Sequence, residues 1–335
     1  MKHLRTNKLP LLYATGALFL VLAAILGVLL GATDVGLPDL ARLLLGRDTG
    51  SASAKILLYV RFPRVAASLL CGAALAVSGA VIQGVLANRL ASPGLIGVNS
   101  GAGLAVTLCS AFGILGGWRL SFFAFLGAFL AAVLVSIGAK RWGASKGTVL
   151  LMGVALNALF GAISDTVTIL CPDVAVLRNE FKIGDFSGVT YAKLLPASVL
   201  ILVGIAVLLT LSAELDVLTL GEETARGLGL NTMLIRVILL LLCALLAGAA
   251  VSIAGLLSFV GLLVPHAVRR IATPQARHLL PLCALFGGGF VTLCDTLSRT
   301  LFAPYELPVG IVMAFLGAPF FLFLLIKGKG GSSHA

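Results

Sequence analysis

Charged side chains are scarce in this chain: Asp, Glu, Lys and Arg make up 11% of its 335 residues, while 59% are hydrophobic. A water-soluble domain has roughly a quarter of its residues charged. This much apolar surface cannot be hidden in an aqueous core, which implies a polytopic membrane protein. There is also no G-x-x-x-x-G-K-[ST] run to cradle phosphates, so a nucleotide-driven step requires a second polypeptide. The six cysteines form no CxxC pair and mostly fall inside apolar runs, which excludes a disulfide framework and a zinc ribbon. The four histidines are scattered without metal-ligand spacing, so no metal site is expected. No nucleophile–base pair can be assembled, and no filter or charged ring marks a channel. No enzyme activity and no cofactor are expected on this chain.

The formal net charge is +11. In a soluble protein that excess would suggest nucleic acid. Here Lys and Arg lie at segment junctions without aromatic interleaving, which suits membrane orientation and argues against a nucleic-acid partner. Lys2, Arg5 and Lys8 precede a first apolar run, residues 11–31, too long for the core of a secretory signal. Nine more runs follow, at about 63–86, 95–115, 120–139, 147–170, 192–212, 233–255, 257–272, 279–301 and 307–327. With about 20 residues per crossing, the fold expected is an all-α polytopic membrane protein of about ten transmembrane helices. Both termini then lie on the cytoplasmic side. Residues 234–271 are nearly continuous and must fold back near 252–258.

An internal repeat divides the chain. Gly72-Ala-Ala-Leu-Ala-Val-Ser-Gly79 recurs half a chain later as Gly248-Ala-Ala-Val-Ser-Ile-Ala-Gly255. About five crossings separate the copies, an odd number, so residues 1–335 read as one domain of two inverted five-helix halves, about 1–190 and 191–335. Inverted halves place a pathway at their interface in many transporters, although small residues on one face also serve plain helix packing.

Residues 213–232 (AELDVLTLGEETARGLGLNT) are the polar exception between two apolar runs. Thr219 and Glu222 fit a capping box, and Glu222 and Arg226 stand at i and i+4 in the favourable order. Leu220, Thr224 and Leu228 share one side, and Gly227 and Gly229 supply stops. The pattern predicts a short exposed helix, either a connector or a docking element.

Five stretches in order carry a resemblance to a known family: Arg61-Phe-Pro-Arg64 through Gly103; Leu151-Met-Gly-Val-Ala-Leu-Asn157; Leu220 to Gly229; Phe259 to Arg269; and Glu306-Leu-Pro-Val-Gly310 through Pro319. Together they resemble the ABC-importer permeases that take up ferric siderophores, haem and cobalamin. The chain departs at Asn88-Arg-Leu-Ala91, where the family usually has Asn-Pro-Leu-Ala. The resemblance implies a bacterial inner-membrane location and a permease dimer of identical or related subunits. It also implies a cytoplasmic ABC ATPase dimer that binds ATP and magnesium, and an extracytoplasmic substrate-binding protein. It assigns residues 213–232 as the ATPase-coupling loop, with Leu220, Ala225 and Leu228 buried in the ATPase cleft, Glu222, Glu223 and Arg226 at its rim, and Gly229 ending the helix. It assigns Arg61, Arg64 and Arg299 to docking of the binding protein, because the planar Arg fork grips carboxylates. Read without the resemblance, Arg61 and Arg64 anchor a helix end at headgroup level.

Gln83, Asn99 and Asn157 are candidates for the pathway, with interhelical bonding as the plainer role. Asn88, also polar at a span end, carries the same plain reading. Asp165 and Asp295 are the carboxylates closest to span interiors, which makes them functional candidates by default, with Arg178 and Arg299 placed to pair with them. His266 reads as a packing or hinge residue. A proton-coupled secondary transporter is the alternative from another class, and no side chain distinguishes the cargo.

Overall fold

In the computed structural model, residues 8–31, 33, 35–46, 50–141 and 146–329 are described. Lys2 and Arg5 lie outside them. Helix α1 is Leu9–Leu29, α2 is Leu37–Leu44 and α3 is Ala52–Ile56, which runs through a π turn at Leu57–Arg61 into α4, Phe62–Val85. A 3₁₀ turn at Pro93–Ile96 leads to α5, Val98–Ala111, then α6, Gly117–Arg141, and α7, Lys146–Leu170. The second half holds α8, Val174–Ile183; α9, Tyr191–Thr210; α10, Ser212–Thr219; and α11, Glu222–Gly227. It ends with α12, Thr232–Ala254; α13, Val260–Ile271; α14, Ala276–Thr300; and α15, Val309–Lys329. Among the described residues the protein is all-α. In lipid only helices or closed barrels can satisfy the backbone.

Each of the ten apolar runs falls on a helix. Seven helices are long and apolar enough to cross a membrane, while Val98–Ala111 and the stretch Val309–Leu322 of α15 are shorter, so the count of ten crossings is approximate. The fold-back expected near 252–258 lies between the end of α12 and the start of α13.

Burial separates the centre of the bundle from its rim. In α4, 78% of the apolar window is buried, against 17% in α1 and in α7. Helix α4 packs against α14, α12, α13 and α9. Its glycines allow this. A Cβ on Gly72 would lie 2.2 Å from the Gly287 carbonyl oxygen of α14, and one on Gly79 would lie 2.1 Å from that of Gly261 in α13. Without a hydrophobic drive between helices in lipid, such backbone approach supplies van der Waals contact and tight association.

The helices that carry the two copies of the repeat meet directly. Cys71 Sγ donates to the Ala250 carbonyl at 3.6 Å, and Cys243 Sγ to the Ser78 carbonyl at 3.5 Å. As numbers rise along α4 they fall along α12, so the helices cross antiparallel. That is the relation that inverted halves demand.

Substituting valine at Gly79 must displace α13. The expected cost is about 3 kcal/mol, the upper end for overpacking, read as loss of monodisperse protein in detergent. Alanine at Gly103, where an added Cβ meets nothing within 4 Å, should leave the profile unchanged.

Candidate functional site

The polar segment between α9 and α12 is two short helices, α10 and α11, broken at Leu220-Gly221. The expected capping box does not form. Thr219 still belongs to α10, where its hydroxyl donates to the Asp216 carbonyl at 2.7 Å, and the N-cap of α11 is Gly221. Glu222 is engaged elsewhere: Arg226 Nη2 donates to its Oε1 at 2.7 Å and Arg236 Nη2 of α12 to its Oε2 at 3.0 Å. The i,i+4 pair is therefore present, extended by a third charge from α12. Gly229 closes α11 with φ +81°. The Leu230 N–H reaches the Ala225 carbonyl at 3.0 Å and the Gly229 N–H the Arg226 carbonyl at 2.9 Å. This is the Schellman pattern, which favours glycine at its left-handed position.

Leu220 and Leu228 are 62% and 64% exposed, and Glu223 is exposed beside them. Ala225 is fully buried within the chain itself, which corrects its expected place in a partner's cleft: the side of α11 that carries it packs inward.

Segment α10–α11 is seated on the three central helices. Leu215 of α10 is buried, and its Cδ1 would lie 2.9 Å from a Cβ on Gly84 of α4. Asp216 Oδ1 accepts the N–H of Ala276, the first residue of α14, at 2.8 Å. Gln275 gives α14 no side-chain cap, so Asp216 supplies one from another helix. Burial lifts the Asp216 carboxyl above its ordinary range, against the opposing effect of the Ala276 N–H. Arg226 Nε donates to Thr232 Oγ1 at 3.3 Å, and Glu222 holds Arg236.

At the opposite end of the bundle the arginines expected to meet the binding protein are buried within the chain. Arg61, Arg64 and Arg299 are 2%, 4% and 3% exposed. Arg61 donates to the carbonyls of Val28 and Leu29 at 2.7 Å and of Thr33 at 2.5 Å, closing the C-terminal end of α1. Arg64 Nε donates to both oxygens of Asp295, at 3.0 and 3.2 Å, and its Nη1 to Glu306 at 2.7 Å; Asp185 lies 3.8 Å from its Nη2. Arg299 Nε lies 3.2 Å from Asp295 Oδ2, and its Nη2 donates to the Gly27 carbonyl at 3.0 Å. These guanidiniums are held by their own chain because buried charge in a bundle needs counter-charge and acceptors. Asp185 and Glu306 complete the cluster and escaped the sequence reading, although Glu306 stood in a quoted motif of a chain with only 13 acids. Asp165 pairs with Arg178 at 2.5 Å, across α7 and α8.

The three pathway candidates are not brought together. Asn99 and Asn157 line one cleft of about 410 Å³ with Ser164, Asp165, Arg178 and Lys182. The Asn157 amide tethers α7 to its neighbours: Nδ2 donates to the Gly94 carbonyl at 3.1 Å, and Ser100 Oγ donates to its Oδ1 at 2.6 Å. Gln83 lies in a separate cleft with Arg89, Asp216 and Arg269. Its Nε2 donates to the Gly261 carbonyl at 2.9 Å, and Arg269 donates to its Oε1. His266 joins no metal-binding group: among the described residues no cluster of three or more His, Cys, Asp or Glu could hold a metal ion.

Two predictions follow from these geometries. Arg64→Met leaves Asp295 a buried charge with one partner fewer and should cost about 3–5 kcal/mol. Adding Asp295→Asn should recover part of that loss in thermal unfolding. Asp216 works in the reverse sense. A carboxyl raised by burial contributes most to stability when protonated, and that contribution is lost as pH rises through its raised pKa. Asp216→Asn should therefore raise the melting temperature at pH 7–8, with the difference shrinking toward pH 4.

Comparisons with known proteins agree with this architecture. Residues 18–327 match the FecCD transport family. The hemin transport system permease protein HmuU of Yersinia pestis is 38% identical over 317 residues, covering 92% of this chain and 94% of its own length. The Fe(3+)-citrate import system permease protein YfmD of Bacillus subtilis is 34% identical, with 97% of each chain covered. The vitamin B12 import system permease protein BtuC of Yersinia pseudotuberculosis is 38% identical, with 84% of each covered. Among solved structures, an inward-facing metal-chelate-type ABC transporter is similar at a TM-score of 0.82 and 30% identity, covering 95% of this chain and 99% of its own. The match over nearly the whole length, on a bundle with this antiparallel repeat, places the chain in the FecCD transport family of ABC-transporter permeases.

Proposed function

We propose that this permease imports an iron chelate, with ferric siderophore as the first assignment and haem or cobalamin as cargoes of the same machinery. It works as a dimer of identical or related subunits in the bacterial inner membrane, with both termini cytoplasmic. An extracytoplasmic binding protein delivers the substrate, and a separate ATPase pair that binds ATP and magnesium supplies the work. The relatives named for hemin, Fe(3+)-citrate and vitamin B12 support this range of cargo. The cleft holding Asn99 and Asn157 is the candidate stretch of the route.

One observation carries the ATP-driven reading. The α10–α11 segment exposes Leu220 and Leu228 while its other side is fastened to the central helices. Two exposed leucines flanking the braced helix α11 suit insertion into a cleft on a soluble partner, where apolar anchors supply affinity and rim charges such as Glu223 tune encounter. The secondary-transporter alternative needs a titratable carboxylate near the bilayer midplane. The two candidates are already ion-paired: Asp295 with Arg64 and Arg299, and Asp165 with Arg178.

The test uses the full permease in vesicles with its ATPase and binding protein. Leu228→Asp should weaken ATPase retention by at least about tenfold, the effect of losing roughly 1.4 kcal/mol at one anchor. ATP-dependent uptake of radiolabelled hemin or ferric citrate should fall with it. Undiminished ATPase retention, or uptake that proceeds without any nucleotide, would overturn the reading.

A further inference from the structure

The α10–α11 segment touches the three most central helices in different ways. On α4 the contact is apolar, Leu215 against Gly84. On α14 it is a hydrogen bond to the helix N-terminus, Asp216 to the Ala276 N–H at 2.8 Å. On α12 it is an ion pair, Glu222 to Arg236 at 3.0 Å, with the Arg236 side chain 3% exposed. Apolar contacts are non-directional and let one helix slide on another. A cap and a buried charge pair are directional, so a displaced helix must either carry its partner along or break the bond.

We propose that Asp216 and Glu222 are the two positioning residues that carry displacement of the docking segment into the membrane, Asp216 through α14 and Glu222 through α12. This rests on the ATPase-driven reading above. The chain of contacts then continues without a gap. Helix α14 meets α4 at the Gly287–Gly72 approach, and α12 meets it through Cys243 and Ser78. At its far end α14 carries Arg299 and Asp295, which pair with each other; Asp295 also holds Arg64 of α4, and Arg64 holds Glu306 before α15. Helix α14 has 25 residues, about 38 Å at 1.5 Å per residue, with Pro281 inside its N-terminal part. Movement at Ala276 is thus delivered to the charged cluster at the opposite end. The sequence reading set Glu222 at the rim of a partner's cleft; its inward bond to Arg236 gives it this second task.

A reporter at the far end of α14 tests the assignment. Leu301 is exposed just beyond α14, and Cys171 is the exposed cysteine. Leu301→Cys in a Cys171→Ser background takes a bimane label, and the complex of full permease with its ATPase is placed in nanodiscs. Adding ATP should shift the bimane emission in this parent. Asp216→Ala and, independently, Glu222→Ala should each abolish the shift while the ATPase still co-purifies. Asp216→Asn, which keeps an oxygen acceptor for the Ala276 N–H, should restore it; melting temperatures recorded for the same variants separate this from stability, because a role in stability alone would make the shift follow them. An undiminished shift in both alanine variants overturns the proposal while leaving the ATP-driven reading intact. A parent with bound ATPase that shows no shift overturns both.

Discussion

The closeness of α4 to its neighbours is the constraint from which the rest of the molecule follows. At Gly72 and Gly79 the backbone of α4 lies so near the carbonyls of Gly287 and Gly261 that no side chain fits. Lipid offers little hydrophobic reward for bringing helices together, so this seam of backbone contact, with the thiol-to-carbonyl bonds to α12, is what makes a core out of individually apolar helices. It also explains why α4, α12 and α14 are mostly buried while α1 and α7 are left for lipid or another chain.

A core built on such contacts transmits displacement better than it absorbs it, because close-packed interiors have little room to give. The polar groups are placed accordingly. Mid-helix groups such as Asn157, which donates to the Gly94 carbonyl, fasten a helix to its neighbours. The strong charge clusters stand at the two ends. At one, Asp216 and Glu222 brace α10–α11 on α14 and α12; at the other, Arg64 and Arg299 share Asp295. Two polar ends joined by a tight apolar shaft form a unit that can be pushed at one end and read at the other.

Much of the fold was legible in the sequence, and the reasons are local. Runs of about 20 apolar residues declare a span whatever they pack against, so α1, α6, α7, α9, α12 and α14 lie within a few residues of expectation. The repeat announced the antiparallel crossing because an odd number of spans between copies inverts them. Residues 213–232 were recognisable as a connector or docking element because they are polar where their surroundings are not, though not as two helices: the break at Gly221 depends on how α10 sits against α4 and α14. The partners of the outer arginines were not legible, for a related reason. An Arg at a span end looks alike whether it faces water or three carboxylates, and the carboxylates that claim Arg64 come from residues 185, 295 and 306.

Composition, run length and internal repetition thus determined by themselves that this chain is a bundle of membrane helices in two inverted halves with one polar segment between its spans. Each of those properties depends on neighbours along the chain and on the solvent. Which charges meet, that Ala225 and Arg236 turn inward while Leu220 and Leu228 remain exposed, and that Asp216 caps a helix beginning at residue 276 were decided only by tertiary structure. The physical reason is that a buried charge or a free helix end accepts whichever partner the packing brings within about 3 Å, and sequence separation places no limit on who that partner is.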